Sequence, residues 1–275
     1  MKLARTLEKV WMHPWLITPG GYASVMRLIE SKLNGEQTSV IAEIPESKKS
    51  ESPNALVNGI VQITISGILG QRLSFLERIC GGCDYMDIAE AIDEAFNSEA
   101  QGLLFIFDSP GGMAIGCPEC AARIASIDIP TVAFSDSLMT SGAYYLASGC
   151  DYIMATPSAN VGSIGVIIPW IDKEKMFDKA GLKFDPIYSK GDDLKTTMYG
   201  PSLTDEQRDY LQESVDQVAK DFQDHVSTYR SLDFSQLKAG AYAGQKALSL
   251  NLIDRIGSLQ DAQNELSRRI QKTQT

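Results

Sequence analysis

Between Gly102 and Ala155 the chain alternates short, almost wholly apolar runs with helix-like stretches: GLLFIFD, a segment led by SPGG, TVAF, a small-residue stretch from Ser141, and YIMA. A strand that is apolar at every position has no face for water, so it must be covered on both sides. Strands of that kind separated by helices form a mostly parallel sheet with helices packed against it. The pattern begins at Gly59, where GIVQITISGIL reads as an incoming strand. An α/β fold is therefore expected.

The intervening segments carry helical spacing. In Tyr85 to Asn97, Met86, Ile88, Ala89, Ile92 and Phe96 recur on one face. Helices are also predicted over Met113 to Ser126 and Ser141 to Ser148, with strands at Leu103 to Phe107, Thr131 to Phe134 and Tyr152 to Ala155. Gln71 to Asp84 is predicted as a loop with a helical turn at Leu73 to Ile79. Beyond Gly165 a helix is expected over Ile171 to Ala180, then a strand near Phe184 to Tyr188 and a polar loop from Ser189 to Pro201. Thr204-Asp205-Glu206-Gln207 opens a long helix to about Tyr229, with a capping residue and acids at its positive end. A short helix at Gly244 to Leu250, a strand at Leu252 to Ile256 and a helix from Ser258 complete the chain. Near the start, Tyr22, Val25, Met26, Ile29 and Leu33 place an amphipathic helix over Gly20 to Gly35, and the polar run to Asn58 follows it. The division expected is a helical appendage and linker over 1–58 and one main domain over 59–275.

A formal net charge of −10 argues against nucleic acid as a partner. No apolar run reaches the roughly 18–20 residues of a membrane span, and MKLARTLEKVWMHPW lacks the apolar core of a secretory signal. A cytoplasmic protein without a membrane anchor is the expectation. Cys80 and Cys83 form one C-x-x-C pair, Cys117 and Cys120 another, and Cys150 stands alone. Such pairs suit zinc or a redox couple. Cys117 and Cys120 should share one helical turn, however, and Cys150 should lie in a tight loop, so reduced thiols packed as small hydrophobes are expected. No metal and no cofactor is expected.

Two bends carry chemistry. Ser141 stands between a predicted strand and a short helix, where a serine is either a cap or an exposed nucleophile. Gly111-Gly112 follows an apolar strand, and backbone N–H groups bared by glycine can converge on a developing oxyanion. Histidine is nearly absent: His13 precedes a proline, and His225 lies on the long helix among Asp221, Asp224 and Val226. A serine–histidine–aspartate triad is not expected, and lysine is the usual substitute base once desolvation lowers its pKa. Lys190 and Lys195 both lie in the polar loop, where Asp192 and Asp193 would have to point away from the base.

DSPGG at 108–112, SGAYYLASGCDYIMA at 141–155, VGSIGV at 161–166 and AYAGQKALSLNLID at 241–254 together resemble the signal peptide peptidase A family of serine proteases. That resemblance implies the Clp protease/crotonase-like fold of repeated strand–strand–helix units. It places the nucleophile at Ser141, the general base at Lys195 and a lysine-orienting hydroxyl at Ser163. Gly111, Gly112 and Gly142 would then form the oxyanion site. Substrate would add an extended strand beside Gly162, Ile164 and Gly165 and the Gly112 segment, with Met113 and Leu138 near the pocket ahead of the scissile bond. HPWLITPGGYASVMRLIESKL is similar to the opening of head maturation (prohead) proteases of tailed phages. The resemblance thus implies a polypeptide substrate among capsid, portal or scaffold proteins, and a homo-oligomer. A soluble cellular protease of the same family, a crotonase-like acyl-CoA enzyme and an idle shell component are the competing readings.

Overall fold

The computed structural model describes residues 13–33, 59–170, 172–183, 187–192, 194 and 202–274. In chain order the elements are β1 (Trp15–Ile17), α1 (Pro19–Leu33), β2 (Ile60–Ser66), β3 (Ile68–Gly70), α2 (Phe75–Ile79), β4 (Gly82–Asp84) and α3 (Tyr85–Asn97). Next come β5 (Gly102–Asp108), β6 (Gly111–Met113), α4 (Cys117–Ala125), β7 (Thr131–Ser135), β8 (Leu138–Thr140), α5 (Gly142–Ser148), β9 (Tyr152–Ala155) and β10 (Asn160–Gly162). After them lie α6 (Glu174–Lys179), α7 (Asp205–Tyr229), α8 (Phe234–Leu237), β11 (Ala241–Ala243), α9 (Gly244–Ser249), β12 (Arg255–Ile256) and α10 (Leu259–Thr273).

The repeating unit is strand–strand–helix: β5–β6–α4 is followed by β7–β8–α5, and β2–β3 leads through α2 and β4 to α3. This strand–strand–helix repeat is the one that the resemblance implies. The long first strand of each unit joins one sheet of order β12-β9-β7-β5-β2, parallel throughout. The short second strands go elsewhere. β6 and β3 pair in a sheet of order β1-β6-β3-β4, while β8 and β10 pair in one of order β11-β10-β8.

The long strands are apolar on both faces because both faces are covered. On β5, Leu103, Phe105 and Phe107 join the larger core, whereas Leu104 joins a second cluster with Val132, Phe134 and Met154. That second cluster is closed by Ala262, Leu266 and Ile270 of α10. Each such side chain removed from water contributes about 1.5–3 kcal/mol, so the sheet is fixed in register by residues pointing alternately to α10 and to the helices opposite. Asp84 is fully buried. It caps α3 by accepting from Met86 N–H, takes the Arg72 and Leu73 amides at 3.1 and 2.6 Å, and pairs with Arg78 at 2.7 Å.

Several boundaries differ from the expectation. The SPGG segment is a turn only through Pro110, since Gly111–Met113 forms a strand, and the helix after it begins at Cys117. β8 and β11 are three-residue strands with no periodicity to announce them. Ile187 and Tyr188 are not in a strand, and Phe184 of that expected strand lies outside the described residues. Within the segment expected as an appendage, Trp15, Leu16 and Ile17 are buried and pair antiparallel with β6.

Candidate active site

Ser141 is delivered by β8, whose parallel pairing to β10 sets Thr140 beside Gly162. The Ser141 amide donates to the Gly162 carbonyl at 2.7 Å, and the Ser141 carbonyl accepts from Tyr145 N–H at 2.9 Å. The chain must turn from strand to helix in one residue, and it does so with Ser141 at φ 56°, ψ −120°. A non-glycine residue there costs on the order of 1–3 kcal/mol. The serine does not cap its helix, and its buried Oγ has no hydrogen-bond partner among the described residues. A bland capping role is thereby removed.

The helix behind it is firmly held. Tyr144 is buried and donates its hydroxyl to the Leu252 carbonyl at 2.8 Å. Asp254, two residues on, accepts from Ile153 N–H at 2.7 Å and receives both arms of Arg230, at 2.7 and 2.9 Å. Cys117 Sγ lies 3.8 Å from the Gly142 carbonyl, beneath the first turn.

The glycine pair reaches Ser141 from the neighbouring unit. Ser109 organises it: its Oγ donates to the Gly67 carbonyl at 2.6 Å and accepts from Gly111 N–H at 3.2 Å. The Gly111 amide is thus engaged within its own turn. A methyl group at Gly111, where φ is +95°, would lie 2.0 Å from the Leu16 carbonyl oxygen and 2.8 Å from the Gly142 nitrogen. One at Gly142 would lie 3.4 Å from the Gly112 nitrogen. The backbone nitrogens of Gly112 and Gly142 therefore lie about one small volume, which Leu16 borders. The end of β6 is fixed by Tyr85, whose hydroxyl donates to the Met113 carbonyl at 2.7 Å.

Ser163 follows Gly162, at φ 55°, with its amide bonded to the Gly240 carbonyl at 2.7 Å. The Ser141–Gly162 bond makes it a near neighbour of Ser141. Ile164 is buried, and a methyl at Gly165 would meet Ala239 Cβ at 2.5 Å. The structure thus gathers Ser141, Gly111, Gly112, Gly142, Gly162 and Ser163 about one point. Lys195 lies outside the described residues, as does Asp193. Lys190 is exposed, and the Asp192 carboxylate accepts from the Ser189 hydroxyl. Met113 packs with Trp15 and Ile17, and Leu138 is partly buried at the start of β8.

His225 is turned elsewhere. Its ring stacks on Tyr145 at 4.3 Å, and Nε2 lies 3.2 Å from the Tyr145 carbonyl. Burial holds its pKa below the usual histidine value. The cysteines are reduced, and burial raises the Cys83 thiol to about 11 and Cys120 to about 12, with Cys117 and Cys150 also pushed up. Among the described residues no group of three or more His, Cys, Asp or Glu is arranged to hold a metal ion. No described helix is long and apolar enough to cross a membrane. Two features of this site are not visible in the sequence. Ser109 sits in the quoted DSPGG motif, but its hydroxyl role needs the fold to be visible. β1 is three residues whose partner lies far along the chain.

The chain is 30% identical over 213 residues to capsid assembly protease C of Escherichia phage lambda, covering 75% of this chain and 48% of that protein. It is 26% identical over 250 residues to the head-tail preconnector protein GP5 of Enterobacteria phage P21, covering 87% and 50%. It is 27% identical over 265 residues to a putative signal peptide peptidase SppA of Enterococcus faecium, covering 83% and 76%. The chain spans about half the length of the two phage proteins it matches. Residues 123–272, more than half of the sequence and including the Ser141 turn and the Gly162–Ser163 corner, match the profile of Peptidase family S49, and the chain belongs to that family.

Proposed function

We propose that this chain is a serine endopeptidase in which Ser141 is the nucleophile and Lys195 the general base. The observation that carries the reading is the Ser141 turn: a strained, buried serine without a partner among the described residues, set against the Gly112 and Gly142 nitrogens. Lysine enters through the family resemblance, and the engagement of His225 with Tyr145 supports it by removing the alternative base.

In this mechanism neutral Lys195 takes the Ser141 proton as Oγ attacks a peptide carbonyl. The Gly112 and Gly142 amides hold the resulting oxyanion, and Ser163 orients the lysine. Each such donor is worth about 2.7–4 kcal/mol in other hydrolases. Lys195 then protonates the departing amine, and water releases the acyl group. Substrate polypeptide binds as an added strand beside β6 and the 162–166 segment. The natural substrate class we infer is the proteins of a phage head during assembly, which the two phage relatives favour. The SppA-type relative supports a cellular variant of the same chemistry.

The test is hydrolysis of an unfolded protein and of an acyl-CoA thioester by wild type, Ser141→Ala and Lys195→Ala. Peptide cleavage that falls about 10³-fold or more in both variants is expected. Turnover of the thioester alone, or cleavage that survives Ser141→Ala, contradicts the proposal.

A further inference from the structure

The groove beside Gly112 already holds a peptide, and the peptide is this chain's own. β1 runs antiparallel to β6 with Leu16 opposite Gly112. Thr18 N–H donates to the Pro110 carbonyl at 3.0 Å, and Ala114 N–H to the Pro14 carbonyl at 3.2 Å. In an antiparallel ladder hydrogen-bonded pairs recur at every second residue, so Leu16 and Gly112 form the bonded pair between those two. On its other edge β1 meets the segment after Ser163. Trp15 N–H donates to the Ile167 carbonyl at 2.8 Å, and Ile167 N–H to the Trp15 carbonyl at 3.1 Å. A foreign substrate strand would be clasped by these same two edges.

The fit extends to the reacting position. The Leu16 carbonyl oxygen would lie 2.0 Å from a methyl at Gly111 and 3.2 Å from one at Gly142. It therefore lies beside the Gly112 and Gly142 nitrogens. Alternation along the strand sends the Trp15 and Ile17 side chains to one side, against Met113, Tyr22 and Ile68. Leu16 points to the other side, into the main core, with its Cβ against the α5 start. The ladder places the Leu16 carbonyl at the Gly112 amide, and the strand-to-helix bend brings the Gly142 nitrogen beside it.

We propose that β1 is a built-in substrate mimic that fills the substrate groove, with Leu16 in the position ahead of the scissile bond, so that β1 must leave before another polypeptide can enter. This rests on the protease reading above and extends it to a substrate class: extended segments with a leucine-like aliphatic residue before the cut. Departure is feasible because β1 is only three residues long and Pro14 and Pro110 each remove a donor from its ladder.

The experiment is the rate at which a fluorophosphonate labels Ser141 in full-length wild type and in Leu16→Asp. A groove filled nine-tenths of the time reacts about tenfold more slowly than an open one, so the variant should label about tenfold faster. In the variant, a fluorogenic peptide ending Pro-Trp-Leu should be cut about tenfold faster than one ending Pro-Trp-Asp. Because Leu16→Asp could also unfold the chain, wild type supplies a second readout. Hydrogen exchange over residues 13–18 should rise once Ser141 carries the adduct. Equal labelling rates in folded wild type and variant, or exchange unchanged by the adduct, overturns the mimic and leaves the protease intact. Absence of labelling in both forms overturns both.

Discussion

At Ser141, the proposed nucleophile, the backbone conformation opposes the one the residue prefers. A serine at φ 56°, ψ −120° is strained, and glycine is not. Ser141→Gly should therefore be more stable than wild type by about 1 kcal/mol, measured by urea denaturation, while losing activity. A less stable Ser141→Gly would show that the turn is not strained. His225, on the long helix, offers a separate check. Burial lowers its folded-state pKa, so the folded form binds fewer protons than the unfolded chain near the ordinary value. Stability is then fully present above about pH 6.5 and is lost as pH falls below it toward the lowered folded pKa. The melting temperature should drop between about pH 7 and pH 5, and His225→Gln should flatten that drop. Of the residues around Ser141, those within motifs were legible because glycine and serine in a fixed order mark a bend. Ser109 was not, because a hydroxyl that accepts from an amide two residues away looks like any other turn serine.

Elements are most legible where periodicity runs long. Tyr85–Asn97 and Tyr152–Ala155 have the bounds expected, since one has a clear helical stripe and the other is an apolar run flanked by polar residues. Three-residue strands defeat that reasoning: β6 is two glycines and a methionine, so no side-chain pattern reveals that its backbone pairs with both β1 and β3. The α7 start is a case where local chemistry did suffice. Thr204 accepts from Gln207 N–H while the Gln207 side chain accepts from Thr204 N–H, a complete capping box. Thr204→Ala should cost about 1 kcal/mol, seen as a fall of about 2–4 °C in the melting temperature. No change would mean that α7 is held by Phe222 and Val226 alone, its buried contacts with the core.

At the scale of the molecule, the fold brings together residues from three successive units and from the N-terminal strand. β6 supplies one amide, β8 and α5 supply the serine and the other amide, and β10 supplies the corner at Gly162 and Ser163. The parallel sheet fixes these ends relative to one another because its strands are clamped by cores on both faces. What the sequence could not reveal is the seat of β1, since the pairing of Leu16 with Gly112 joins positions far apart in the chain and depends on tertiary geometry. We infer that this convergence makes Ser141 a nucleophile. The most direct measurement is mass spectrometry of the wild-type protein after fluorophosphonate treatment, with Ser141→Ala alongside. One adduct is expected, on the peptide containing Ser141, and none in the variant. An adduct on another residue, or equal modification of Ser141→Ala, would contradict it.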